Sequence, residues 1–201
     1  MLKFGLTGGI ASGKSAVAAV LREMGFPVLD ADSLAHKLME PGQPAREEIL
    51  QEFGADLAGA DGRIDRGKLA TIVFADPAKL KKLNAILHPR VEEILLNQFE
   101  EWKRSGVRDA AFVEAALLIE AGFVSNLDGL VVAWCKPEQQ LERLKARGMS
   151  EQDAKRRIAA QLPLEEKLRM ATSTIDCSGT MDSTRAQVRA LAAKLRKSAA
   201  S

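Results

Sequence analysis

The chain has 201 residues, of which 46% are hydrophobic and 28% charged, and its formal net charge is +2. That length suits one domain with a sizeable core. So small a net charge gives no bulk attraction for nucleic acid and leaves only a local basic patch to serve one.

Leu2 to Thr7 is a short apolar strand candidate, followed at once by "GLTGGIASGKSAV", residues 5–17. Ser15 to Met24 then reads as a helix with Val17, Val20, Leu21 and Met24 on one face. Gly25 ends it, and Pro27-Val28-Leu29 begins a second strand that runs into "DAD", with Asp30 and Asp32 at its end. This is a βαβ unit, so the two strands are parallel and the crossover right-handed.

Residues 33–105 are helical in pattern throughout and form an insertion between the second and third strands. Pro41-Gly42, Gly59 to Gly62 and Asp76-Pro77 punctuate it, and "HPRVEEILLNQFEEWKR" reads as a new helix with His88 at its start. Ala110–Glu114 and Leu130–Trp134 are continuous apolar runs of the kind that form buried parallel strands. "LLIEAG" between them reads as a short connecting helix. Residues 137–170 are helical and arginine-rich, with a capping signal at Ser150-Glu151-Gln152-Asp153. "TSTIDCSG" supplies a fifth strand, and a closing helix places Val188, Leu191, Ala192 and Leu195 on one face. The expected fold is α/β: a parallel five-stranded sheet in three layers, with a helical insertion and a helical lid.

Cys135 and Cys177 match no metal-ligand spacing, and there are two histidines, so neither a zinc site nor a structural disulfide is expected. Both thiols are expected to be ordinary semi-buried residues. No run approaches the ~18 apolar residues of a membrane helix. Met1 to Phe4 leads straight into the glycine loop without a leader-like stretch. The expectation is a cytoplasmic protein without nucleic-acid or membrane partners, with a weak homo-oligomer left open.

Gly8 to Ser15 fits G-x-x-x-x-G-K-[ST] in the context that pattern requires, strand before and helix after. Glycines let several backbone N–H groups turn inward on a phosphate, and the following helix adds its positive end. Lys14 can reach the β- and γ-phosphates, and the Ser15 hydroxyl can bind Mg²⁺. The loop points to a nucleoside triphosphate and does not name the acceptor.

Asp32 lies where a parallel sheet binds its ligands, beyond a strand's carboxyl end. It is a candidate general base or metal organiser; the alternative is that it, or Ser33, caps "SLAHKLM". Arg143 and Arg147 share a helix face, and Arg156 and Arg157 follow on the next helix. They could neutralise phosphate charge in the transition state or simply form a solvated basic face. His88 and Arg90 flank Pro89, where they could meet the acceptor and one of its phosphates, or be an ordinary turn.

Taken together, these residues resemble the dephospho-coenzyme A kinase family over nearly the whole chain. The likeness runs through "VLDADSLAHKLMEPGQPA", "DGRIDRGKLATIVFADPAKLKKLNAILHP", "VEAALLIEAG", "QLERLKARGMSEQDAKRRIAAQ" and "KLRMATSTIDCSG". It implies transfer of the ATP γ-phosphate to the ribose 3′-hydroxyl of dephospho-CoA. It implies a core of residues 1–32, 106–136 and 171–201, a CoA-binding subdomain of 33–105 and a lid of 137–170. By this likeness Asp32, Lys14 and Arg143 would be catalytic. Gly9, Ala11, Ser12, Gly13, Lys14, Ser15, Ala16, Arg143 and Arg147 would hold ATP, with Ser15 on Mg²⁺. Asp32, His88, Arg90 and Leu117 would meet dephospho-CoA.

The chain departs from the family pattern at several positions. Ala11 replaces a common glycine, Ala16 a common threonine and Ala116 a common proline, and an asparagine is usual near Cys177. The competing reading is another small-molecule kinase, such as a nucleoside monophosphate kinase, against which the His-Pro turn and the size of the insertion argue. A GTP-dependent switch would carry N-K-x-D, which this chain lacks.

Overall fold

The structure, a computed structural model, describes residues 1–200, with side chains through Lys197. It divides into two compact units, one of Met1–Asp30 with the chain from Gln98 onward, the other of Ala31–Asn97.

The first, the sheet unit, contains strands β1 (Leu2–Thr7), β2 (Val28–Asp30), β3 (Ala110–Glu114), β4 (Gly129–Trp134) and β5 (Ser173–Asp176). They form one sheet in the order β2-β3-β1-β4-β5, with every pairing parallel. Helix α1 (Lys14–Glu23) follows β1, and α9 (Met181–Ala200) follows β5. Parallel strands are covered on both faces, which is why β3 is buried along its whole length. Phe4, Leu6 and Phe112 of the sheet pack with Val17, Val20 and Leu21 of α1 and with Val188, Leu191 and Leu195 of α9. Each such side chain contributes roughly 1.5–3 kcal/mol relative to exposure. The sheet unit also holds α6 (Pro137–Ala146), α7 (Glu151–Ala159) and α8 (Leu164–Met170). Ser150 caps α7 as expected, its Oγ accepting from the Asp153 N–H at 3.1 Å.

The second, the helical unit, is built from α2 (Ala31–Lys37), α3 (Pro44–Phe53), α4 (Arg66–Phe74) and most of α5 (Pro77–Arg104). Its own apolar cluster centres on Ile49, Leu57, Leu69, Val73 and Leu87. Asp65 caps α4, its carboxylate accepting from the Gly67 and Lys68 N–H groups at 3.0 Å.

Three local expectations are corrected. Asp32 does not end a strand: β2 stops at Asp30, and Asp32 sits in the first turn of α2. His88 does not start a helix: α5 runs unbroken through Pro89. An interior proline costs about 3 kcal/mol, but Leu80, Leu83, Leu87, Val91 and Ile94 keep one apolar face on the core across it. Leu87 is buried and the others partly so; at up to about 1.5–3 kcal/mol each, their burial together offsets that cost. Finally, "LLIEAG" makes turns rather than a regular helix. The Ala121 N–H reaches the Leu117 carbonyl at 2.8 Å, but Gly122 takes φ 74° and a 3-10 turn over Phe123–Asn126 follows.

Among the described residues, no helix is long and apolar enough to cross a membrane.

Candidate active site

The glycine loop links β1 to α1, and its shape follows from two residues. Gly13 takes φ 105°, and a Cβ there would fall 2.7 Å from the Cys177 Cβ, so no other residue fits. Ala11 takes φ 59°, the only non-glycine residue with positive φ among those described. The Ser12 N–H donates to the Gly9 carbonyl at 3.1 Å, closing the turn. Gly13 also caps α1 without any side-chain hydrogen bond, and no acidic residue stands in the helix's first turn. With no side-chain cap and no carboxylate in that turn, the positive end of the α1 dipole favours an anion there. Ser12 Oγ is buried without a hydrogen-bond partner, alone in this among the described residues. Ser15 is exposed in that same first turn. These features suit an anion such as a triphosphate, which Lys14, Ser15 and the loop backbone could hold.

Lys14 Nζ lies 3.0 Å from Glu114 Oε1, and Arg22 donates to Glu114 Oε2 at 3.5 Å. Glu114 is 3% exposed at the carboxyl end of β3. A carboxylate so buried needs its cations, and here one of them is the loop lysine. The sequence reading missed Glu114, although an acidic residue closing the otherwise apolar run "AAFVE" was a visible signal.

The arginines separate into two kinds. Arg143 reaches back from α6, donating from Nη1 to the Ala11 carbonyl at 3.1 Å and from Nη2 to the Cys177 carbonyl at 2.8 Å. It braces the loop against the end of β5. Arg147 at the end of α6 is exposed, and Arg156 pairs with Asp153 on α7. Two glutamines also reach the loop: Gln140 Nε2 donates to the Ile10 carbonyl at 2.9 Å, and Gln161 Oε1 accepts from the Ile10 N–H at 2.8 Å.

Lys167 on α8 is fully buried. Its Nζ donates to the Ala116 carbonyl at 3.0 Å and pairs with Glu120 at 2.9 Å. This ties α8 to the turn that carries Leu117, which is half-buried. Both cysteines are fully buried free thiols, more enclosed than expected. Burial raises both thiol pKa values, Cys177 to about 11. Such thiols stay protonated and unreactive near neutral pH.

Asp32, His88 and Arg90 belong to the helical unit. Burial holds the His88 imidazole below its ordinary pKa, against an opposing pull from Glu92 one turn on. Arg90 pairs with Glu48 and donates to the Ile86 carbonyl at 2.6 Å. The unit also has a polar cavity of about 350 Å³ whose wall includes His36, one helical turn beyond Asp32. Among the described residues, no cluster of three or more His, Cys, Asp or Glu side chains could cage a metal.

The sequence profile of the dephospho-CoA kinase family matches residues 2–183. The chain belongs to the dephospho-CoA kinase family. A Symbiobacterium thermophilum dephospho-CoA kinase is 48% identical over 187 residues, covering 92% of this chain and 78% of the relative. One from Carboxydothermus hydrogenoformans is 45% identical over 185 residues, covering 92% and 89%. The solved dephospho-CoA kinase of Campylobacter jejuni aligns over 98% of both chains at a TM-score of 0.72 and 29% identity. A Thermus thermophilus structure aligns over 96% of this chain and 97% of its own at 0.82 and 37%. Aquifex aeolicus shikimate kinase, at 18% identity and a TM-score of 0.50 over 96% of each chain, shares the fold alone. The dephospho-CoA kinase match therefore runs through both compact units, from β1 into α9.

Proposed function

We propose that this chain transfers the γ-phosphoryl group of ATP to the ribose 3′-hydroxyl of dephospho-CoA, the last step of coenzyme A synthesis. The observation that carries the reading is the family match across both units, joined to a glycine loop that opens a helix without a side-chain cap or a carboxylate in its first turn.

In this reading the backbone from Gly9 to Ala16 and the Lys14 ammonium hold the triphosphate. Lys14 exchanges part of its pairing with Glu114 for the β- and γ-oxygens. The Ser15 hydroxyl would hold Mg²⁺, an ion that arrives with its nucleotide rather than in a protein cage. Bound there, Mg²⁺ supplies charge neutralisation to the phosphoryl group being transferred. Arg143 keeps the loop in shape and has further guanidinium donors for phosphate oxygens; Arg147 supplies a second positive charge. We assign acceptor recognition to residues 33–105, with His88 and Arg90, and to Leu117, and the lid to residues 137–170.

Asp32 is the general base. As the ribose 3′-oxygen forms its bond to the γ-phosphorus, the bond from that phosphorus to the β–γ bridging oxygen breaks and ADP departs. The hydroxyl proton passes to the Asp32 carboxylate and then to solvent. Asp32 lies two residues along the chain from Asp30, whose strand position pairs with Glu114, the partner of Lys14.

The test is an acceptor panel of dephospho-CoA, AMP, CMP and shikimate with ATP, the product's new phosphate located by phosphorus NMR. The reading expects turnover with dephospho-CoA and a 3′-phosphate in the product. Turnover of another acceptor without dephospho-CoA would refute it.

A further inference from the structure

The amide pair on Ile10 grips both polar groups of one residue. Gln140, on α6, donates to its carbonyl, and Gln161, just past α7, accepts from its N–H. Gly9 points to the same contact by an independent route. Its φ lies outside the left-handed region, so glycine is not needed there for backbone freedom. What it lacks is a Cβ, which would fall 2.4 Å from Gln140 Nε2. A side chain there would push the Gln140 amide away from Ile10.

The next residue shows what the clamp holds. Ala11 is in a left-handed conformation that ordinarily costs an L-residue about 1–2 kcal/mol. Strain of that kind persists where the surroundings over-determine it. Here the Ile10 peptide is fixed on one side of Ala11 by the glutamines, and the Ala11 carbonyl is fixed by Arg143.

We propose that Gln140 and Gln161 are positioning residues for ATP, which preset the phosphate loop by holding Ile10 from both sides and so keep Ala11 turned. The proposal rests on the loop being an ATP site. Pre-organised donors bind a phosphate without the entropy of ordering the loop at that moment. Loss of the clamp therefore weakens ATP and leaves dephospho-CoA untouched.

The two hydrogen bonds run in opposite chemical directions, which supplies the test. A glutamate at 161 can still accept from the Ile10 N–H, whereas a glutamate at 140 cannot donate to the Ile10 carbonyl. Both substitutions add one negative charge beside the same residue, so their difference isolates the hydrogen bond. The dissociation constant of ATP, the melting temperature and both Michaelis constants are measured for wild type, Q140A, Q161A, Q140E and Q161E.

Each alanine variant is expected to bind ATP about 3–10-fold more weakly, the scale of one neutral hydrogen bond. The Michaelis constant for dephospho-CoA should be unchanged. Q140E should bind ATP at least about fivefold more weakly than Q161E. Equal effects of the two glutamates, or a fall in melting temperature with no change in ATP affinity, would overturn the proposal. Because the main readout is ATP binding, a wild-type protein that bound ATP yet left dephospho-CoA unphosphorylated would refute the proposed function and not the clamp.

Discussion

The two units use their charged and polar side chains differently. Exposed ion pairs occur in both, as Arg156 with Asp153 on α7, but in the sheet unit other side chains also reach far along the chain to backbone groups near the phosphate loop: Gln161 to Ile10, Arg143 to Ala11, Lys167 to Ala116. In the helical unit they mostly pair with carboxylates at partly exposed positions, as Arg90 does with Glu48 and Lys82 with Glu52. Contacts of the first kind replace water and fix backbone geometry. Those of the second kind are typically worth about 0–1 kcal/mol. The difference suits the roles assigned to the units. A phosphate cradle gains from being built in advance, whereas an acceptor surface can exchange weak ion pairs for ligand contacts at small cost.

The most disruptive way to probe the contrast is Lys14→Ala. It should lower kcat by at least about 10²–10³, as loss of a transition-state charge contact does; steady-state turnover under saturating ATP measures this. Ion-pair removal separates the units by stability. Glu120→Ala takes the carboxylate from the buried Lys167 ammonium; because Glu120 itself is partly exposed and the Ala116 carbonyl still accepts from Lys167, the cost in urea unfolding should be about 1–3 kcal/mol. Lys167→Met removes the charge itself and should cost less. Glu48→Ala in the helical unit should cost under about 1 kcal/mol. Equal losses at Glu120 and Glu48 would erase the distinction.

A smaller effect concerns pH. Burial raises the Cys177 thiol pKa from 9.0 to about 11, so the folded state favours the neutral form. That contribution is fully present below pH 9 and is lost as pH rises toward 11. Urea midpoints measured across this range should fall more steeply in wild type than in Cys177→Ala. The smallest change expected is Ala11→Gly. It relieves left-handed strain of about 1–2 kcal/mol against a glycine entropy cost of about 0.5–1 kcal/mol. A net gain of about 0.5–1 kcal/mol in unfolding free energy follows, with ATP affinity changed by less than about tenfold.

The same contrast explains what could be read in advance. The glycine loop, the five parallel strands and the apolar faces of α1 and α9 are local patterns, legible as a motif, as apolar runs and as helical periodicity. Local rules misled at Pro89, because the gain from a continuous buried face is invisible to a turn signal. They misled again at Asp32, where two residues of strand became helix. Gln161 stood in the family motif, but it, Gln140 and Lys167 were given no role, because each acts on a backbone group distant in sequence and an amide or ammonium side chain carries no mark of its target. Glu114 was the one missed residue with a usable signal, a charge ending a buried strand.

The central claim is a division of labour, with nucleotide held by the loop of the sheet unit and proton abstraction performed by Asp32 of the helical unit. Asp32→Asn tests it most directly, with ATP affinity and kcat measured on the same preparation. The account predicts an unchanged ATP dissociation constant and a kcat lower by about 10²–10⁴-fold. A near-normal kcat would leave Asp32 a structural residue in the first turn of α2 and contradict the account.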